Sequence, residues 1–171
     1  LYGYVEGGGS LLVVTGAGVG ANPCTTLQSL DSRFGTGCSN SSTPPDTVTN
    51  VGTHPITSGV TAAGVSPHNV TIMTVSAPAT TLISGANPLV AAGEIGDGRF
   101  VVVADEWPFV NAATGADAIG FGDHEQLVDN IASWLADASC QDVCVDADGD
   151  GETTCGGDCD DSDAAINTSA T

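Results

Sequence analysis

The sequence predicts an α/β domain followed by a small disulfide-rich calcium-binding loop module, and three observations carry that fold class. The run S-L-L-V-V-T at 10–15 is apolar without a break, the pattern of a strand buried on both faces of a parallel sheet. Leu127, Ile131, Trp134 and Leu135 recur at the three- and four-residue spacing of one helical face. The third is D-A-D-G-D-G at 146–151, where alternating carboxylates converge on one hard cation and a glycine makes the tight turn. The expected organisation is an α/β domain over 1–136, a linker over 137–143 and an acidic calcium-binding repeat over 144–171.

At the start, Leu1, Tyr4 and Val5 share a helical face, and Gly7-Gly8-Gly9 stops that helix before the 10–15 strand. An opening in mid-element predicts that a preceding piece of the fold lies elsewhere. G-A-G-V-G at 16–20 is suggestive of a phosphate-cradling loop, but no lysine follows and the surroundings are acidic, so a strand-to-helix turn is the reading. Asn22-Pro23 then starts a second helix, with Leu27, Leu30 and Phe34 inward and Gly35 as its stop.

Cys24 and Cys38 flank this helix and are the natural disulfide partners. Bridged cysteines need Cα atoms within roughly 7 Å. An unbroken helix from Cys24 to Phe34 would hold its ends about 15 Å apart at ~1.5 Å per residue, so the helix is expected to begin near Thr26. Residues 36–69 read as loop-rich. Strand signals return at 70–75 and 80–83, rich in Thr and β-branched residues. Residues 89–94 and 99–104 read as a hairpin around Gly96-Asp97-Gly98, with 100–103 as a central strand. Asp123 is expected to cap the last helix, with Gln126 three residues on as a capping-box variant.

Composition narrows the function. The 171 residues carry 2 Lys+Arg against 21 Asp+Glu, a net charge of −19 and a pI near 4.1, a surface that repels nucleic acid and anionic membranes. The two basic residues are Arg33 and Arg99. A hydrophobic content of 41% and 23 glycines fit a globular domain with many tight turns. Six cysteines outside any C-x-x-C motif point to an oxidising compartment, hence a secreted, extracellular or cell-surface protein. No signal peptide or membrane span is visible, as in a mature or trimmed chain. Sequons at Asn40, Asn69 and Asn167 permit glycans.

The tail is where the charge concentrates. Asp146, Asp148 and Asp150 occupy the first acidic positions of a calcium loop, and Glu152 follows with its backbone carbonyl. The EF-hand count then fails, because its twelfth position is Gly157 rather than a bidentate acid. Asp158, Asp160, Asp161 and Asp163 form a second cluster able to close the first site and build another, so one or two Ca²⁺ ions are expected. A solvated acidic tail is the first rival reading, and it requires neither the D-x-D-x-D-G order nor cysteines inside the acid cluster. A Cys₄ zinc site from Cys140, Cys144, Cys155 and Cys159 is the second. The C-x3-C spacings and the hard oxygen ligands between them favour disulfides plus calcium. Four cysteines permit three pairings; Cys144 with Cys159 and Cys140 with Cys155 would clamp the loop from both ends.

Two resemblances attach to these residues. D-A-D-G-D-G-E followed by G-G-D-C-D-D-S-D-A-A-I-N is similar to the metal-binding (MopE-type) repeat of bacterial secreted and surface proteins, and to thrombospondin type 3 calcium repeats. That likeness implies a secreted or surface protein with bound metal and no reaction. In the family a proline often follows the final asparagine, whereas Thr168 follows Asn167 here.

The second covers residues 1–136. Y-V-E-G-G-G-S-L-L-V-V-T-G, T-H-P-I-T-S-G-V, G-R-F-V-V-V-A-D-E-W-P-F-V-N-A and D-H-E-Q-L-V-D-N-I-A-S-W-L-A resemble the class I glutamine-amidotransferase-like (flavodoxin-like) fold. The similarity is greatest to its non-catalytic, GIFT-type branch. In that family a strand-helix portion precedes the first helix seen here. The resemblance therefore implies a partial sheet whose edge is covered by another chain or a missing segment, in a homo- or hetero-oligomer.

Catalysis is not expected. Catalytic members of that fold use a cysteine at a strand-to-helix elbow, backed by a His and a Glu one residue apart. Here the elbow holds Gly16 and Ala17, neither Cys24 nor Cys38 lies at a strand end, and His124 is followed directly by Glu125. The remaining polar candidates are Asp105, Glu106, Asp123 and His124, at the carboxyl edge of the sheet where α/β proteins bind ligands. The plainer reading makes Asp105 and Asp123 turn and cap residues. His54, His68 and His124 are too scattered for a metal triad, and His54 before Pro55 reads as structural. Two functions follow: a calcium-stabilised structural, adhesive or assembly-forming module without chemistry, or a hydrolase or glycan-binding domain using Asp105, Glu106 and His124.

Overall fold

In the computed structural model the described residues are 1–15, 24–40, 47–65, 71–109 and 119–139. The calcium-loop residues Asp146, Asp148, Asp150, Glu152, Asp158, Asp160, Asp161 and Asp163 lie outside them. So do the last four cysteines, the 16–20 turn, His68 and the sequons at Asn69 and Asn167. The described chain is mixed α/β and mostly sheet.

Helix α1 (Tyr2–Glu6) leads through the glycines into β1 (Ser10–Val14). Then come α2 (Cys24–Ser29), β2 (Thr36–Asn40), β3 (Asn50–Val51), β4 (Ile72–Val75), β5 (Thr80–Ser84), β6 (Pro88–Ile95), β7 (Gly98–Val103) and α3 (His124–Ser139). Five strands form one sheet in the order β1-β7-β6-β5-β3, and β2 pairs with β4 in a separate two-stranded sheet. β1 runs parallel to β7, with Ser10 opposite Arg99 and Val14 opposite Val103; every other pairing is antiparallel.

β7 is the central strand expected, and its alternation assigns the two faces of the sheet. Phe100 meets the Phe34 ring edge-on at 5.1 Å on one face, and Arg99 donates from Nη1 to the Trp134 carbonyl of α3 at 2.9 Å on the other. Leu127, Ile131, Trp134 and Leu135 are all buried, as their spacing predicts. Ser10 fastens β1 to the end of this helix, donating to the Leu135 carbonyl at 2.6 Å.

The second helix departs from expectation. It begins at Cys24, not Thr26, and ends at Ser29; a separate 3₁₀ turn then covers Ser32–Phe34. Asp31 starts that turn by accepting the Arg33 N–H, and Gly35 ends it in the left-handed conformation at φ 70°. A side chain at Gly35 would overlap the carbonyls of Ser76 and Ala77. Breaking the helix lets β2 fold back, so the Cα atoms of bridged Cys24 and Cys38 stand 5.4 Å apart. The 36–69 region also carries more structure than its loop-like composition predicts: β2, β3 and 3₁₀ turns at Pro55–Thr57 and Ala62–Gly64.

Candidate functional site

The carboxyl ends of β1 and β7 gather buried polar residues. Thr15 N–H donates to the Val103 carbonyl at 2.9 Å, and Thr71 N–H to the Ala104 carbonyl at 2.9 Å, so the chain is held on both sides as it leaves the sheet at Asp105. The 3₁₀ turn Trp107–Phe109 then packs against α3, which opens with His124, placing Asp105, Glu106 and His124 at one end of the fold. Asp105 and His124 each expose 0% of their surface, and neither lacks an interaction partner. A general acid or base must reach its substrate, and neither side chain is open to solvent here. Glu106 Oε2 and Thr71 Oγ1 are shut from solvent without a hydrogen-bond partner among the described residues.

Asp123 does something other than the expected capping-box exchange. Its Oδ2 accepts from Thr61 N at 2.8 Å and Thr61 Oγ1 at 2.7 Å, contacts that hold its carboxyl below the usual range. Gln126 reaches forward to Asn130 rather than back to the cap. Asn130 Nδ2 in turn donates to the carbonyls of Ile56 and Ser58 at 3.0 and 2.8 Å. About two turns apart, Asp123 just before α3 and Asn130 on it thus tie the 56–61 segment to the helix.

That segment walls a cleft. A cavity of about 290 Å³ lies between Thr53, His54, Pro78, Thr80, Glu94 and Trp134, and a groove of about 580 Å³ adjoins it at Thr53 and His54. Burial pushes the His54 imidazole below its ordinary value of 6.5, with a smaller contribution from Arg99 against the opposing pull of Glu94. No periodic signal marks His54 from sequence, because Thr80 and Trp134 complete its surroundings from far along the chain. Neither cavity touches Asp105, Glu106 or His124.

Among the described residues β1 is the last strand on its side of the sheet. Leu12 on it is 40% exposed, and Tyr4 on the neighbouring α1 and Leu1 just before that helix are 61% and 72% exposed. Among the described residues no group of three or more His, Cys, Asp or Glu is placed to hold a metal, so the calcium expectation rests on the tail sequence. No described helix is long and apolar enough to cross a membrane.

No family model and no curated protein matches the chain. Solved structures do. Cytoplasmic Protein STM1381 from Salmonella typhimurium LT2 is 14% identical with a TM-score of 0.60, over 78% of this chain and 58% of its own. Cytoplasmic Protein STM3548 from Salmonella typhimurium gives 15% and 0.61, over 78% and 57%. The mmIFT52 N-terminal domain gives 17% and 0.55, over 83% and 70%. These likenesses show the fold, and this chain spans less than three fifths of either Salmonella protein.

Proposed function

We propose that this protein is a calcium-stabilised, non-catalytic assembly module whose sheet is completed along β1 by another segment or subunit. The β1 edge carries the proposal. Its outer side pairs with no strand among the described residues, and exposed Leu1, Tyr4 and Leu12 flank it. No charged residue occurs from position 7 through 30, so the edge lacks the charges by which natural edges discourage pairing. In a chain of net charge −19, this uncharged strip is where a second chain approaches with least repulsion.

On this reading residues 1–136 are part of an amidotransferase-like, flavodoxin-like sheet. The parallel β1–β7 pair and the likeness to the mmIFT52 domain support it. Ca²⁺ would be held by Asp146, Asp148, Asp150, the Glu152 carbonyl and acids of the 158–163 cluster. The bridged Cys24–Cys38 pair supports a secreted or cell-surface location, although the two Salmonella proteins are described as cytoplasmic. The partnerless Oε2 of Glu106 favours a second reading, a hydrolase or glycan-binding site at Asp105, Glu106 and His124. The complete burial of Asp105 and His124 favours the first.

Light scattering and hydrogen exchange on the calcium-loaded chain test the proposal. The expected result is an assembly with protected β1 amides, dispersed by Leu12→Lys. A monodisperse monomer whose β1 amides exchange freely would overturn it.

A further inference from the structure

The T-H-P-I-T-S-G-V segment has no part in the assembly edge, yet it builds a pre-formed cleft. His54 Nδ1 accepts the Ile56 N–H at 3.2 Å, which puts the ring proton on Nε2 while the imidazole is neutral. The ring stands edge-on to Trp134 at 5.1 Å, and the His54 N–H donates to Thr57 Oγ1 at 3.0 Å. Nothing among the described residues accepts from Nε2, and the hydroxyls of Thr53 and Thr80 have no partner there either. Because Asn130 and Asp123 tie the following residues to α3, the donor is oriented before any ligand arrives.

The opposite wall is the sheet. Alternation places Thr80 and Leu82 of β5 beside Ala92 and Glu94 of β6 around the same cavity, a polar rim over an apolar floor. Charge is balanced: Glu94 Oε1 accepts from Arg99 Nε at 3.2 Å, and burial favours the uncharged imidazole. The site therefore offers one fixed N–H, hydroxyls that donate and accept, a carboxylate acceptor and a C–H floor. Those features match a neutral sugar ring, with its hydroxyl rim and C–H face. At about 290 Å³ the cavity is at the small end of ligand pockets, which run from roughly 300 to 1,000 Å³. It continues into the groove along Val51 and Gly52, which has room for a further unit.

We propose that the cleft between His54, Thr80, Glu94 and Trp134 binds a neutral saccharide, with His54 Nε2 donating to a sugar oxygen and Thr80 and Glu94 engaging its hydroxyls. This rests on the cleft alone and stands whether or not the chain assembles through β1. The test is an NMR titration of the full chain with methyl β-glucopyranoside, N-acetylglucosamine and cellobiose, beside glucuronate and a neutral tetrapeptide.

Saturable shifts are expected at His54, the Trp134 indole and residues 80 and 92–94, with the disaccharide bound more tightly than the monosaccharide. His54→Ala should weaken binding roughly three- to tenfold, the loss of one hydrogen bond. Should it also loosen the 3₁₀ turn that His54 starts, Thr80→Val, at an exposed position, should give a similar loss with the remaining spectrum unchanged. Absence of saturable shifts with every neutral sugar, shifts confined to other residues, or stronger binding of glucuronate or the peptide would each overturn the proposal.

Discussion

His54 titrates against its surroundings. Neutral, its Nδ1 accepts the Ile56 N–H; protonated, it would lose that acceptor and bring a charge into a partly desolvated site. Its folded-state value therefore lies below the unfolded value near 6.5. The unfolded chain takes up the proton first as pH falls, so the contribution to stability is complete above pH 6.5. It is lost between 6.5 and the folded-state value, and levels off below that. An imidazole titration followed by NMR should place His54 under 6.5; a midpoint at or above 6.5 would show that the ring is not held as described. Asp123 has a depressed value for a different reason, the two donors of Thr61, and its contribution fades only in stronger acid.

Among the elements, the Cys24–Cys38 bridge closes a short loop around α2 and the Ser32–Phe34 turn. With the cysteines 14 positions apart in sequence, chain entropy assigns it about 3 kcal/mol. Replacing both with serine should lower the unfolding free energy from urea titration by about that amount and move the midpoint down with it, and reduction of the wild type should do the same. An unchanged midpoint on reduction would mean that the isolated protein does not carry the bond.

Elements with strong local signals were legible in the sequence. α1, β1, the β6–β7 hairpin and the buried stripe of α3 follow from periodicity and glycine punctuation. β2 and β3 were not, because T-G-C-S-N and N-V acquire strand geometry only through partners at 72–75 and 83–84. The helix break at Leu30 escaped for a related reason: Phe34 keeps helical spacing with Leu27 and Leu30, yet tertiary packing against Tyr2 and Phe100 sets its position. Of the carboxyl-edge residues, position was readable at Asp105 but burial was not, since no local periodicity marks the complete burial of Asp105 or His124.

For the whole molecule, charge separates two behaviours. Nine acids between positions 142 and 163 have no basic residue among them, whereas the core cluster of the described residues draws its buried members from residues 5–135. Removing calcium should therefore loosen residues 140–167 and leave the sheet intact. If the tail holds calcium as proposed, a hundredfold excess of ion over Kd would stabilise the loop by about 2.7 kcal/mol. Hydrogen exchange with and without chelator reads this directly, and equal protection of the tail in both states would remove calcium from the account.

The register of β1 also sets a timetable. Ser10 pairs with Arg99, so during synthesis the most apolar strand emerges long before the strand it lies beside. At roughly 5–20 residues per second that interval is about 4 to 18 s. Throughout it, an uncharged S-L-L-V-V segment waits on the nascent chain, unable to nucleate the sheet and open to foreign strands. Folding yield should thus depend more on holding that segment apart during translation than on the stability of the finished core.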